Sequence, residues 1–324
     1  MVKLASAEMA EKKLATRAAF GATLAELAEE GVPVVAVDAD LTGSTTTKKF
    51  AAAAPENADK LFNCGIAEQN MIDVAAGLAL TGRVAYTGSF AVFGTGRAYD
   101  QIRNTVCYSN LDVKICPTHA GVSVGPDGGS HQMLEDVSLM RGLPNMRVLV
   151  PADYAAARAA IKLAAKTPGP VYVRMGRAAV PCVYDDDVEL ELGCAYVLRE
   201  GTDATVVACG VEIREALAAA DALAEEGISI EVIDAFSVKP LDEDTITASV
   251  AKTGCCVVAE EHSVHGGLGS AVAECLARKN PAPCEFVGVQ DRFGKSGEFE
   301  ELLGYFNLDA AAIVEAVKAA IARK

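Results

Sequence analysis

The sequence predicts an α/β protein of two domains, each built on a mainly parallel sheet flanked by helices. Three observations carry this. Short apolar runs rich in valine and isoleucine alternate with Ala- and Leu-rich stretches of helical spacing along the whole chain. Hydrophobic residues make up 51% of the chain while aromatic ones make only 6% and Trp is absent, so the core is aliphatic, as suits strands covered on both faces. A length of 324 residues is enough for two separate cores.

In order, residues 6–30 carry apolar positions at helical spacing (Leu14, Ala18, Ala22, Ala25) and stop at Gly31, a helix terminator. PVVAVDAD then reads as a buried strand that delivers Asp38 and Asp40 to the polar loop LTGSTTT. Residues 63–80 read as one helix with Met71, Ala75 and Leu78 on a face, and residues 83–89 as the next strand. Strands recur at 113–116, 147–150 and 171–174 with helices between them, a rhythm that builds a parallel sheet.

Around 180–192 the rhythm breaks in a connector that holds Asp185, Asp186 and Asp187, and the domain boundary is placed there, dividing 1–188 from 189–324. Beyond it come ATVVAC, an Ala-rich helix ending at Gly227, ISIEVID, TGCCVVAEE, a helix from about Gly269, CEFVGV and a terminal helix. HSVHGGLGS has the glycines of a phosphate-cradling turn but neither the full G-x-G-x-x-G nor a Walker lysine, so it reads as a plain tight turn.

Composition excludes several function classes. With 29 basic against 44 acidic residues, a formal charge of -15 repels nucleic acid and anionic lipid. No apolar stretch approaches the roughly 20 residues that span a bilayer, and the N-terminus lacks a signal-peptide layout, so a cytoplasmic protein is expected. The ten cysteines are scattered without a C-x-x-C pair or metal-ligand spacing, and read as buried free thiols.

The stretch CPTHAGVSVGPDGGSHQ, Cys116 to Gln132, reads as a ligand-facing loop leaving a strand and leading to a helix near His131. It holds His119, Asp127 and His131 among glycines that permit tight turns, a set able to bind hydroxyls or a phosphate and move protons near neutral pH. Glu68 opens a helix in GIAEQNM. It reads either as a complement to the helix dipole or, on the apolar side with Met71 and Ile72, as a carboxyl group kept from water. Phe90 and Phe93 read as core packing, with one ring free to lie against a flat ligand. Arg177 suits an anionic substrate group; Arg174 is the alternative, with a structural ion pair as its other reading.

Taken together, GIAEQNM, SFAVFGTGRAYDQIRN, THAGVSVGPDGGSHQ, LPNMRVLVPAD, PVYVRMGR and the early ATR with DLTGS resemble the carboxyl-terminal half of transketolase, in order and over essentially the whole chain. The resemblance implies a pyrimidine-binding domain at 1–188, a transketolase C-terminal domain at 189–324, and thiamine diphosphate as cofactor. Glu68 then matches the glutamate that hydrogen-bonds the aminopyrimidine ring, Phe93 the ring that stacks on it, Phe90 its neighbour and Asp40 an aspartate beside the cofactor. Arg17, Ser44, His119 and Arg177 match groups that hold the sugar phosphate. Asp127 matches one that reads a substrate hydroxyl, and His131 matches a histidine near the reacting hydroxyl, the candidate for proton transfer. The reaction implied is transfer of a two-carbon ketol unit from a ketose phosphate to an aldose phosphate, as in the pentose phosphate pathway.

Ala67 and Gln69 flank the key glutamate where full-length transketolases usually have Arg and His, and Pro126 stands where the family often has an acidic residue. No stretch resembles the Gly-Asp-Gly plus Asn arrangement that binds magnesium and diphosphate. The expectation is therefore the second subunit of a split enzyme, active only with an N-terminal transketolase subunit that carries the magnesium, and self-associating. Two further readings are a subunit of a deoxyxylulose phosphate synthase-like enzyme, which decarboxylates pyruvate, and a non-catalytic assembly paralogue.

Overall fold

The computed structural model describes residues 2–324. Its strands form two main sheets and one small pair. β1 (Lys13–Ala15) and β8 (Ala179–Pro181) form a small antiparallel pair of their own. β2 (Val34–Asp38), β3 (Leu61–Asn63), β4 (Val84–Thr87), β5 (Val113–Ile115), β6 (Arg147–Leu149) and β7 (Val171–Val173) run parallel in the order β6-β7-β5-β4-β2-β3. β2, β4, β5 and β7 are buried along their whole length, which is why they read as uninterrupted apolar runs.

The second sheet holds β9 (Tyr196–Arg199), β10 (Ala204–Ala208), β11 (Ile230–Asp234), β13 (Cys256–Ser263) and β14 (Cys284–Val289), in the order β14-β13-β10-β11-β9 with only β9 antiparallel. The strand between them in sequence, β12 (Ser237–Lys239), leaves this sheet and pairs antiparallel with β6, extending the first sheet to seven strands. The carboxyl half of the chain is thus stitched onto the amino half by backbone hydrogen bonds. Nothing in the local pattern of Ser237 to Lys239 announces this.

Several expected elements differ. The single helix of 6–30 is a short turn at Ala7–Ala10, strand β1 and then a helix over Ala18–Glu29, so Leu14 lies in a strand. The buried face of that helix is Ala19, Phe20, Thr23, Leu24 and Leu27, not the alanines at 18, 22 and 25. Helix 63–80 begins only at Glu68, because Leu61–Asn63 pairs with β2 as the sheet's edge. The helix after the long loop starts at Asp136 rather than near His131. A helix over Glu243–Thr253 escaped the pattern, and the terminal helix is two, Phe299–Phe306 and Ala310–Ile321.

The turn HSVHGGLGS is a structural one. Both carboxylate oxygens of Glu260 accept from the backbone N–H groups of Leu268 and Gly269, at 2.7 and 2.8 Å, so the helix start is already capped by an anion of the chain itself. The cysteines are all free. Among the described residues no helix is long and apolar enough to cross a membrane.

Candidate active site

Neighbouring parallel strands deliver their following loops to one edge of the sheet, and β7, β5, β4, β2 and β3 are neighbours. Their carboxyl ends lead respectively to Arg174 and Arg177, to His119, to Phe90, to Asp38 and Asp40, and to Glu68. Residues more than a hundred positions apart therefore meet because of strand order alone.

The helix Glu68–Ala79 starts on Glu68, whose side chain is 1% exposed yet carries an ionic partner, since Arg97 Nη1 lies 2.8 Å from its Oε2. This corrects the picture of a carboxyl group isolated on an apolar face: Met71, Ile72 and Ala75 do bury that face, but the carboxylate turns to a guanidinium. Arg97 was not singled out in the sequence. It closes a π-helical turn over Val92–Arg97, an irregularity that recurs at functional sites, and its guanidinium lies over the Phe93 ring with 4.5 Å to the centroid.

Four rings form one cluster. Phe90 and Phe93 are stacked with centroids 6.2 Å apart, Phe90 lies against His119 at 3.7 Å, and His131 meets Phe93 edge-on at 5.4 Å. His119 has a positive φ of 62° for a residue with a side chain, a strained geometry of the kind held at ligand sites, and Thr118 Oγ1 lies 2.7 Å from its Nδ1. Burial, then the charges of Arg17, Arg177 and His131, push the His119 pKa down to about 3, so its imidazole is neutral.

A cleft of about 260 Å³ is lined by Arg17, Ser123, Gly125, Pro126 and Arg177, with Glu298 and Phe299 of the second domain. Arg17 donates to the Ser44 carbonyl at 2.9 Å and Arg177 to that of Val124 at 2.8 Å. Burial and the like charge of Arg177 pull Arg17 below its usual range, with Asp127 opposing. Two guanidinium groups that line one cleft and donate to neutral carbonyls make a seat for an anion. Ser44 joins this group through its carbonyl, and Asp127 is exposed at its side.

Asp40 is exposed, with its backbone N–H and its carboxylate both bonded to Asn63. The buried carboxylate on that loop is Asp38, which accepts from Thr45, Thr47 and the Leu41 N–H and so shapes the LTGSTTT turn. Arg174 is structural: fully packed in, it bonds Asp136 at 2.7 Å, and Asp136 also accepts from Tyr172 at 2.5 Å.

A flat aminopyrimidine needs an aromatic face and a carboxylate at its edge. Phe93 and Glu68 supply both, and the flat guanidinium of Arg97 already makes these two contacts, so the residues fit such a ring. Among the described residues no cluster of His, Cys, Asp or Glu is arranged to hold a metal ion.

Comparison with known proteins identifies the two domains. The family model of the transketolase pyrimidine-binding domain matches residues 12–183, and that of the transketolase C-terminal domain matches 193–313. A putative transketolase C-terminal section of Methanocaldococcus jannaschii is 45% identical over 304 residues, 93% of this chain and 94% of that protein. A 6-deoxy-6-sulfo-D-fructose transketolase subunit of a Clostridium species is 42% identical over 301 residues, 93% of this chain and 92% of its own length. Among solved structures, a split-gene transketolase described as an inactive β4 tetramer superposes with a TM-score of 0.87 at 48% identity, covering 96% of this chain and 99% of that one. With both domain models in sequence order and a site that brings a buried glutamate, paired phenylalanines and two histidines to one sheet edge, the chain belongs to the transketolase family, alongside the C-terminal subunits of its split members.

Proposed function

We propose that this chain is the C-terminal subunit of a thiamine diphosphate-dependent transketolase, transferring a two-carbon ketol unit between sugar phosphates, with its domains at 1–188 and 189–324. The observation that carries the reading is the run of contacts Glu68, Arg97, Phe93 and His131, with Phe90 stacked on both Phe93 and His119, together with a cleft lined by Arg17 and Arg177. It joins a seat for a flat heterocycle to a seat for an anion at one sheet edge.

Thiamine diphosphate, when bound, supplies the centre that stabilises the ketol carbanion. Glu68 would share a proton with the pyrimidine of the bound cofactor, while Phe93, with Phe90 beside it, would offer that ring an aromatic face and exclude water. Asp40 takes a supporting place beside the cofactor. Arg17 and Arg177, with Ser44 and the neutral imidazole of His119, hold the sugar phosphate, and Asp127 reads a hydroxyl. His131 moves the proton at the reacting hydroxyl.

The magnesium diphosphate falls to an N-terminal subunit, in keeping with a relative described as a C-terminal section and with a split-gene neighbour whose tetramer of one chain type is described as inactive. That neighbour also supports self-association.

Purification with the product of a neighbouring gene, followed by assay with thiamine diphosphate, magnesium and a ketose phosphate donor, tests this. Ketol transfer should need both chains. Turnover by this chain alone refutes the split arrangement, and release of carbon dioxide from pyruvate in place of ketol transfer refutes the reaction.

A further inference from the structure

Glu261 lies in β13, in the second domain, but its carboxylate is spent on the long loop of the first. It is 3% exposed, Oε1 accepts the backbone N–H of Ser123 in a short bond, and Oε2 accepts the Ser123 hydroxyl at 3.2 Å. Ser123 lies between His119 and His131 and lines the cleft with Arg17 and Arg177. The approach is backbone to carboxylate, and only glycine permits it. A Cβ on Gly121, whose φ is +80°, would sit 2.2 Å from Glu261 Cδ.

Glu261 is itself held. Its carbonyl accepts from Arg174 Nη2 at 2.9 Å, and Arg174 is anchored on Asp136. Its carboxylate is 3.9 Å from Arg174 Nη1, too far for a hydrogen bond, so the loop backbone is its nearest partner.

The other end of the loop is tied to the same domain. Gln132, next to His131, donates to the carbonyls of Val122 at 3.1 Å and Lys295 at 2.9 Å and accepts from the Lys295 N–H at 2.8 Å. A Cβ on Gly294 would fall 1.9 Å from its Oε1. The loop that carries the 3-10 segment Val122–Asp127 thus has two fastenings in the second domain, Glu261 at Ser123 and Lys295 at Gln132, besides the bond from Arg177 to Val124 in the first.

We propose that Glu261 is a positioning residue for the sugar phosphate, and that the second domain serves the reaction by setting the loop of His119, Asp127 and His131 through Glu261 and Gln132. This rests on the transketolase reading above. An interface contact that merely joined two domains has no need to end on the backbone of the substrate loop.

The test compares Glu261→Ala with Glu261→Gln, which keeps an acceptor for the Ser123 N–H and the same bulk beside Gly121. Amide hydrogen exchange on the full chain should show residues 121–125 opening about tenfold more in Glu261→Ala, with β4, β5 and β10 unchanged and Glu261→Gln near wild type. In the complex with the partner subunit, Glu261→Ala should raise KM for fructose 6-phosphate about tenfold while thiamine diphosphate affinity stays constant. Gln132→Ala carries the same test from the other fastening should Glu261→Ala not fold. Unchanged exchange at 121–125, an unchanged KM with a loosened loop, or equal loosening of every strand in both Glu261 variants would overturn the proposal. A wild-type complex without ketol transfer would instead overturn the reading it rests on, and the exchange measurement, made on this chain alone, tells the two failures apart.

Discussion

Arg97 Nη1 lies 2.8 Å from Glu68 Oε2 while the same guanidinium covers the face of Phe93, so one flat cation makes both contacts that an aminopyrimidine would need. A ring that stacks on Phe93 has to move it. The Arg97 side chain is 47% exposed, which holds the ion pair to about 1 kcal/mol at most and the contact with the ring to about 0.5–1 kcal/mol. Arg97→Ala should therefore tighten thiamine diphosphate binding in the two-subunit complex by about fivefold, read by calorimetric titration. Weaker binding would show that Arg97 keeps its place beside the cofactor.

Removing the carboxylate is a different matter. Glu68→Ala leaves Arg97 free to turn to water, so no buried charge is stranded and the melting temperature should hardly move. Ketol transfer by the complex should fall by about a hundredfold or more, the usual scale for a lost proton-transfer group. Full activity would mark the chain as an assembly paralogue.

His119 makes a prediction about stability and pH. The unfolded chain protonates this imidazole near 6.5, whereas the folded one resists until about 3 because of burial and the charges of Arg17, Arg177 and His131. Between those values the unfolded state binds more protons, so this group's contribution is intact above about pH 6.5 and is lost as pH falls toward 3. The slope is at most about 1.4 kcal/mol per pH unit. Urea denaturation of His119→Asn between pH 7 and 4 should show a shallower decline than wild type. Parallel curves would mean that the imidazole reaches water.

Two arginines on neighbouring turns should respond in opposite ways. Arg174→Met leaves the fully buried Asp136 carboxylate with Tyr172 and, 4.0 Å away, His262, and should cost about 3–5 kcal/mol in chemical denaturation. Arg177 is half-buried and donates to one carbonyl, so Arg177→Met should change stability by no more than about 1 kcal/mol. Its effect should appear as a KM for the sugar phosphate raised at least about tenfold. The reverse pattern would exchange their roles.

Local pattern determined much of this protein. Buried strands of a parallel sheet are written as apolar runs, and their carboxyl ends, with the loops that follow, mark Glu68, Phe90, Phe93, His119, His131 and Arg177 as candidates in the sequence itself. The glycines of the long loop likewise declared its turns. Element edges were poorer, as at Leu14 and Leu61, because a three-residue strand is defined by the partner it bonds and not by its own periodicity. Arg97 as the partner of Glu68, β12 in the first sheet and Glu261 beneath the loop were decided only by tertiary structure. A bond such as Ser123 to Glu261 joins positions 138 apart in the chain, and nothing in the composition around either end encodes the distance that closure of the two sheets makes short.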